Sequence, residues 1–184
     1  MRIISGTHKG RQVNLPAAFK LRPTTDMARE SLFNILNNIM PFEDLRVLDL
    51  FSGSGSISYE FASRGASTVH AVELRKKHAS FIRSAARSMD MDSIKVFSFD
   101  VRRFLPGCTD KYDLIFADPP YDLNWLETIP ALVLSSSCLQ PGGLFILEHP
   151  RDYSFREHEY FSEHRKYGSV NFTFFRQPRQ THPE

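Results

Sequence analysis

Tyr112-Asp113-Leu114-Ile115-Phe116-Ala117-Asp118-Pro119-Pro120-Tyr121 is the stretch on which the fold turns. An apolar run, with Asp113 near its start, stops at a carboxylate, two prolines and an aromatic ring. An apolar run of this length bounded by breakers reads as a fully buried strand of a parallel sheet. Proline has no N–H for a ladder and fixes its own φ, so the strand ends here and the turn is stiff. A carboxylate and a ring are therefore held at a strand's carboxyl end, where open α/β sheets place their ligands.

Upstream of this run the chain alternates strand and helix. Residues 46–51 read as a first strand and 56–64 as a helix; 68–73 as a second strand and 76–89 as a long helix with Ala79, Ile82 and Ala86 on one face; 94–99 as a third strand, with a helical turn over 101–105. Downstream, a helix over 125–135 and a fifth strand over 144–148 follow, with Gln140-Pro141-Gly142-Gly143 as the turn before it. Repeated β-α units imply a parallel sheet with right-handed crossovers and helices on both faces. The end departs from this: 159–166 and 169–176 are β-prone around Tyr167-Gly168 and predict an antiparallel hairpin, which the dinucleotide-binding arrangement lacks.

At the other end, Arg2-Ile3-Ile4 and Gln12-Val13-Asn14-Leu15 flank a glycine-bracketed turn and predict a small hairpin. A helix over 27–40 follows, with Thr24 or Thr25 as its N-cap, Asp26 and Glu30 at its positive end, and Pro41 closing it. Arg2, Lys9, Arg11, Lys20 and Arg22 stand against no acid in residues 1–23, so that segment carries +5 of a whole-chain net charge of +2. A concentrated positive segment suits a surface that meets phosphates, although a solvated basic face is an equally ordinary reading. At 184 residues the chain is expected to be one domain with a small appendage. No leader and no membrane-length apolar run is read, so a soluble, cytoplasmic protein without membrane association is expected. Cys108 and Cys138 stand far apart and read as reduced thiols; neither has the Pro-Cys context of cytosine-carbon methylation. His158-Glu159 and His164 have the wrong spacing for the helical zinc motif and are expected at the surface, so no metal is expected.

Asp49-Leu50-Phe51-Ser52-Gly53-Ser54-Gly55 follows the first strand and opens a helix. Glycines there let the backbone approach a ligand and expose N–H groups at a positive helix end. Glu73, at the end of the second strand, is positioned to accept from ribose hydroxyls. The dinucleotide fingerprint requires a third glycine where this chain has Ser58. Asp49, read inside the turn, would repel a pyrophosphate but can hold an ammonium group. That combination points to S-adenosylmethionine, with Asp100 at the end of the third strand accepting from the adenine amine. Phe51, Ser54, Leu74 and Val101, beside these groups, complete the expected cofactor site, with Asp118 at its edge.

The turn at 118–121 then acquires a chemistry. An exocyclic amine on a nucleobase is a poor nucleophile because its lone pair is delocalised into the ring. Asp118 and the Pro119 carbonyl can each accept an N–H and localise the lone pair, while Pro120 stiffens the turn and Tyr121 stacks on the base. Alignment and electrostatics supply most of the expected rate gain.

With these residues in view, the chain resembles class I S-adenosylmethionine-dependent methyltransferases. More closely, it resembles the RsmD family, which methylates the exocyclic N2 amine of a guanine in 16S ribosomal RNA. The resemblance rests on Met1-Arg2-Ile3-Ile4-Ser5-Gly6, Lys9-Gly10-Arg11, Leu21-Arg22-Pro23-Thr24-Thr25-Asp26, Arg29-Glu30-Ser31-Leu32-Phe33-Asn34, the glycine turn and Asp118-Pro119-Pro120-Tyr121. Some family members carry Phe at position 121, and either ring can stack. The resemblance implies that Asp49, Gly53, Gly55, Glu73 and Asp100 hold the cofactor and that Asp118 to Tyr121 perform the transfer. It further implies that Arg2, Lys9, Arg11, Arg22 and Thr24 touch RNA or order the substrate end of the site. A partly assembled small ribosomal subunit is the implied substrate, bound by a monomer. The expected organisation is a basic hairpin extension over 1–23, a methyltransferase domain over 24–178 and a loose tail over 179–184. Two rivals remain at this point: a DNA adenine-N6 or other nucleobase-amine methyltransferase, and an RNA-binding protein that keeps the fold without catalysis.

Overall fold

The computed structural model describes residues 1–17, 19 and 26–179. Arg22, the proposed cap residues Thr24 and Thr25, and residues 180–184 lie outside the described residues. Strands β1 (Arg46–Leu50), β2 (Thr68–Val72), β3 (Ile94–Phe97), β4 (Tyr112–Ala117), β5 (Leu139–His149), β6 (Phe161–Tyr167) and β7 (Val170–Arg176) form one sheet, in the order β3-β2-β1-β4-β5-β7-β6. Strands β3 to β5 pair in parallel, and β7 runs antiparallel to both β5 and β6. Strand order reverses between β1 and β4, so a crevice opens at their carboxyl ends.

Helices α1 (Asp26–Ile39), α2 (Ser56–Ser63), α3 (Lys76–Ser88), α4 (Val101–Gly107) and α5 (Ile129–Leu134) cover the sheet. On one face Leu32, Phe33 and Leu36 of α1 and Phe61 of α2 pack against Leu114, Phe116, Leu144 and Ile146. On the other, Leu105, Ile129 and Val133 meet Ile115, Ala117, Phe145 and Leu147. Alternate residues of β4 and β5 thus enter opposite cores, as a strand buried on both faces requires. Each such aliphatic or aromatic side chain contributes about 1.5–3 kcal/mol on burial.

The N-terminal hairpin is one antiparallel bridge, Arg2 to Gln12, flanked by main-chain bonds from Ile3 N to Arg11 O (3.0 Å) and from Val13 N to Met1 O (2.9 Å). Ile3 and Val13 pack with Tyr59, Ala79 and Ile82 in a third cluster over α2 and α3. Glu60, 1% exposed, accepts from the N–H groups of Ile4 (2.9 Å) and Ser5 (3.0 Å) and from Arg64 (2.9 Å). Buried Arg29 donates to the Arg2 carbonyl at 2.6 Å and to Asp26 at 2.8 Å. Together these tie the first residues to α1 and α2.

Several expectations are corrected. Gln140 to Gly143 do not turn ahead of β5 but lie within it, as a bulge between the pairs Tyr112–Leu139 and Leu114–Leu144. Gly142 has φ 77°, and its N–H reaches the Gln177 carbonyl at 3.0 Å, so the glycines bend the strand without ending it. The helix over 125–135 splits into a 3₁₀ turn (Leu126–Thr128) and α5, because Pro130 has no N–H with which to continue the first segment. The last hairpin turns at Gly168-Ser169, since Tyr167 already pairs with Val170. Asp49 lies in β1 and not in the turn, paired across to Ala71 and Phe116. His158 and His164 are half-buried, not surface residues: His158 Nδ1 accepts from Tyr160 N at 3.2 Å, and His164 Nδ1 lies 3.3 Å from Thr173 Oγ1. Cys108 and Cys138 are buried and free, and burial pushes the Cys138 thiol up to about 12. Among the described residues no group of His, Cys, Asp or Glu could hold a metal ion, and no helix is long and apolar enough to cross a membrane.

Candidate active site

The site is assembled at the carboxyl ends of β1, β2, β3 and β4, with β5 alongside. Asp49, the penultimate residue of β1, is 1% exposed and accepts the Ser58 hydroxyl on Oδ2 at 2.5 Å. Its carboxyl group is raised to about 7: burial dominates and the Asp118 charge adds to it, while the Ser58 hydrogen bond opposes. Phe51 then takes φ 60°, a left-handed conformation costing about 1–2 kcal/mol for a residue with a Cβ. The turn it starts is closed by Gly55 N to Ser52 O at 2.7 Å and by Ser52 Oγ to Asp49 O at 2.7 Å. Gly55 has φ 82°, and a Cβ there would stand 2.8 Å from the Tyr59 ring. Only glycine meets both conditions, so the turn packs tightly against Tyr59 and Ile82 at the head of α2.

Glu73 follows β2 and braces this turn, accepting from Gly53 N at 2.9 Å and from Arg75 N at 2.7 Å. Beside it Leu74 is 65% exposed, and Phe99, beyond β3, is 53% exposed. Two large apolar side chains left open next to a ribose-type acid suit the faces of a flat heterocycle. Asp100 caps α4 through Arg102 N at 2.8 Å and pairs with the Arg102 guanidinium at 2.8 Å, which holds its carboxyl below the usual range. The Arg102 guanidinium in turn lies 4.9 Å from the Trp125 ring, itself 5.8 Å from the Phe51 ring. The Val101 side chain is buried in the core, which leaves only its main chain for the site.

Asp118 follows β4, with its N–H 3.4 Å from the Leu50 carbonyl, so the proline turn and the glycine turn are adjacent. Pro119 is buried and Pro120 exposed. The Tyr121 hydroxyl donates to Glu148 Oε1 at 3.2 Å, and Glu148 is 3% exposed near the end of β5. Arg2, Lys9 and Arg11 are exposed on the N-terminal hairpin, and Met1 Sδ lies 3.8 Å from Ser54 Oγ, beside the glycine turn.

Sequence reasoning missed Tyr59, Glu148, Trp125 and Phe99. Tyr59 is buried, its hydroxyl has no hydrogen-bond partner among the described residues, and burial and Asp49 oppose its ionisation. A signal for Trp125 was available: it is the chain's one tryptophan, four residues past Tyr121. Glu148, an acid closing an apolar strand, carried the same signal as Asp118 without the prolines.

A mostly parallel sheet with β7 reversed, a glycine turn after β1, an acid after β2 and an Asp-Pro-Pro-Tyr turn after β4 together define a class I methyltransferase. Within that class the chain belongs to the RsmD family: residues 1–176 match the family model described as Conserved hypothetical protein 95. It is 33% identical to ribosomal RNA small subunit methyltransferase D of Haemophilus influenzae over 157 residues, covering 83% of this chain and 80% of that protein. Among solved structures, the Escherichia coli protein yhhF superposes with a TM-score of 0.84 at 26% identity, covering 98% of this chain and 99% of that one. A hypothetical protein of Thermus thermophilus superposes with a TM-score of 0.82 at 28% identity, covering 95% of this chain and 98% of that one.

Proposed function

We propose that this protein transfers a methyl group from S-adenosylmethionine to the N2 amine of a guanine in 16S ribosomal RNA, acting as a monomer on an assembling small subunit. The observation that carries the reading is the adjacency of the Asp118–Tyr121 turn to the glycine turn at the β1–β4 switch point. The cofactor supplies an electrophilic sulfonium methyl. The glycine turn and the acids Asp49 and Glu73 fit its amino-acid end and ribose, and Leu74 and Phe99 fit its base. Asp100 contributes to the base only by sharing its carboxylate with Arg102.

On the substrate side, Asp118 and the Pro119 carbonyl accept the two N–H groups of the amine and direct its lone pair. Tyr121 fixes the plane of the base, its hydroxyl anchored on Glu148. The exposed cations Arg2, Lys9 and Arg11 meet RNA phosphates from the neighbouring hairpin.

The test is label transfer from methyl-labelled S-adenosylmethionine to small-subunit particles, naked 16S rRNA or duplex DNA, with the modified nucleoside identified by mass spectrometry. The expected product is N2-methylguanosine in 16S rRNA, with particles the better substrate. Label in DNA alone, or on an adenine, overturns the reading.

A further inference from the structure

A cleft of about 570 Å³ opens beside the catalytic turn, on the side away from the N-terminal hairpin. Tyr121 forms one wall, the Pro150-Arg151-Asp152 turn after β5 a second, and Lys166 with the Gly168-Ser169 turn of the last hairpin a third. We propose that this cleft seats the RNA strand next to the target nucleotide, with Arg151 and Lys166 gripping its phosphates. The inference rests on the reading of Asp118 to Tyr121 as the amine-methylating turn.

The chemistry of the lining supports an anionic, flexible occupant. Lys166 is exposed. Arg151 is 84% exposed and only loosely paired with Asp152, at 3.5 Å. An exposed pair of this kind contributes little, so its guanidinium is available to a phosphate at small cost. A base splayed onto Tyr121 leaves its neighbouring phosphates within one sugar–phosphate unit of that ring, and the two cations line the same cleft as the ring. Single-stranded RNA is held in this manner, by cations along the backbone and a ring under a base.

The walls are also preorganised. Pro150 O accepts from His149 Nδ1 at 2.9 Å; a carbonyl can only accept, so Nδ1 carries the proton. His149 is fully buried and burial lowers its pKa, so the ring is neutral and its Nε2 accepts the Thr173 hydroxyl at 2.8 Å. Asn171 Nδ2 reaches the His149 carbonyl at 3.5 Å. The turn carrying Arg151 is thus anchored to β7 from beneath, and Gly168 leaves the mouth clear, since a Cβ there would meet nothing within 4 Å.

The experiment compares three proteins: the unaltered chain, the Arg151→Ala/Lys166→Ala double variant, and Lys111→Ala. Lys111, at the opposite end of the sheet before β4, controls for loss of charge alone. Each is titrated with naked 16S rRNA and with small-subunit particles across a range of salt, and with S-adenosylmethionine to check folding. The double variant is expected to bind both RNA forms more weakly, with a salt slope reduced by about 1.4, from two contacts at roughly 0.7 each. Cofactor affinity should stay within about twofold. An unaltered slope in the double variant, or a reduction of about 0.7 for the single charge lost in Lys111→Ala, overturns the proposal. A loss confined to particles, with naked rRNA bound as before, assigns the cleft to a ribosomal protein instead and also overturns it. Failure of the unaltered chain to methylate either RNA form marks failure of the catalytic reading itself, and the cleft assignment falls with it.

Discussion

The Ser58 hydroxyl of α2 stands 2.5 Å from the Asp49 carboxylate of β1, and both residues are buried. A dinucleotide-binding turn requires a glycine at position 58, to let the helix close on the strand. Here the same position holds a donor that partly offsets the burial of an acid. Asp49 therefore sits close to its own titration point, at about 7, with Asp118 as the neighbouring charge that pushes it upward.

This balance makes cofactor affinity depend on pH. An ammonium group beside Asp49 favours the ionised carboxylate, so affinity for S-adenosylmethionine should rise as pH increases from 6 through about 7. In Asp49→Asn the rise should vanish, and in Ser58→Ala its midpoint should move to higher pH because the bond that favours ionisation is lost. Calorimetric titration at several pH values measures this directly. A flat profile in the unaltered protein would show that Asp49 does not face the cofactor's amino group.

Asp118→Ala removes an acceptor that acts only as the amine attacks, so kcat should fall by roughly 10²–10⁴-fold while cofactor affinity stays within a few-fold. Tyr121→Phe keeps the ring and loses the bond to Glu148, so it should cost less than about tenfold. Tyr121→Ala should cost RNA affinity as well, by about 1–3 kcal/mol, because the stacking surface goes. Single-turnover rates with small-subunit particles separate these effects. Equal losses in the Phe and Ala variants would mean that the hydroxyl, and not the ring, is what the reaction uses.

The inner strands β1, β2, β4 and β5 were legible because each carries an apolar run closed by glycine, proline or an acid, signals that depend on no distant partner, whereas the largely polar β6 was marked by Gly168 in the turn that follows it. Gln140 to Gly143 misled because turn residues at a bulge carry the same local signal as turn residues at a loop. What distinguishes them is the Gly142 bond to Gln177, some 35 residues away. Asp49 was legible as an acid of the site, but its place within β1 depends on register against β2 and β4. Glu148, Tyr59 and Trp125 became part of the site only through contacts across strands and loops, which no spacing along the chain records.

Glu60 offers a test of what holds the basic hairpin in place. Its buried carboxylate accepts two main-chain N–H groups of residues 4 and 5 as well as Arg64. Glu60→Ala leaves all three donors unpaired and should cost about 3–5 kcal/mol, visible as a lower Tm. Hydrogen exchange at Ile4 and Ser5 should accelerate more than at Val47 or Ile115, and RNA affinity should fall with the displaced Arg2, Lys9 and Arg11. Uniform acceleration across the sheet would show that Glu60 serves the whole domain and not the hairpin.

Four buried or half-buried histidines and Asp49 pull stability in opposite directions with pH. His70, His78, His149 and His164 all have lowered pKa values, chiefly from burial. Each is more basic in the unfolded chain, so its contribution is present above about 6.5 and is lost as pH falls through the folded value. Asp49 is raised, so its contribution is full below about 3.8 and is lost as pH rises to about 7. On acidification from pH 7 to 5 the histidine contributions should therefore be lost while the Asp49 contribution is regained. His149→Gln removes the most buried of the four and should shrink that loss, even though the broken bonds to Pro150 and Thr173 lower Tm at every pH. Asp49→Asn should gain on the unaltered protein steadily between pH 4 and 7 and level off above. Parallel Tm curves for all three proteins would show that neither group changes its proton affinity on folding.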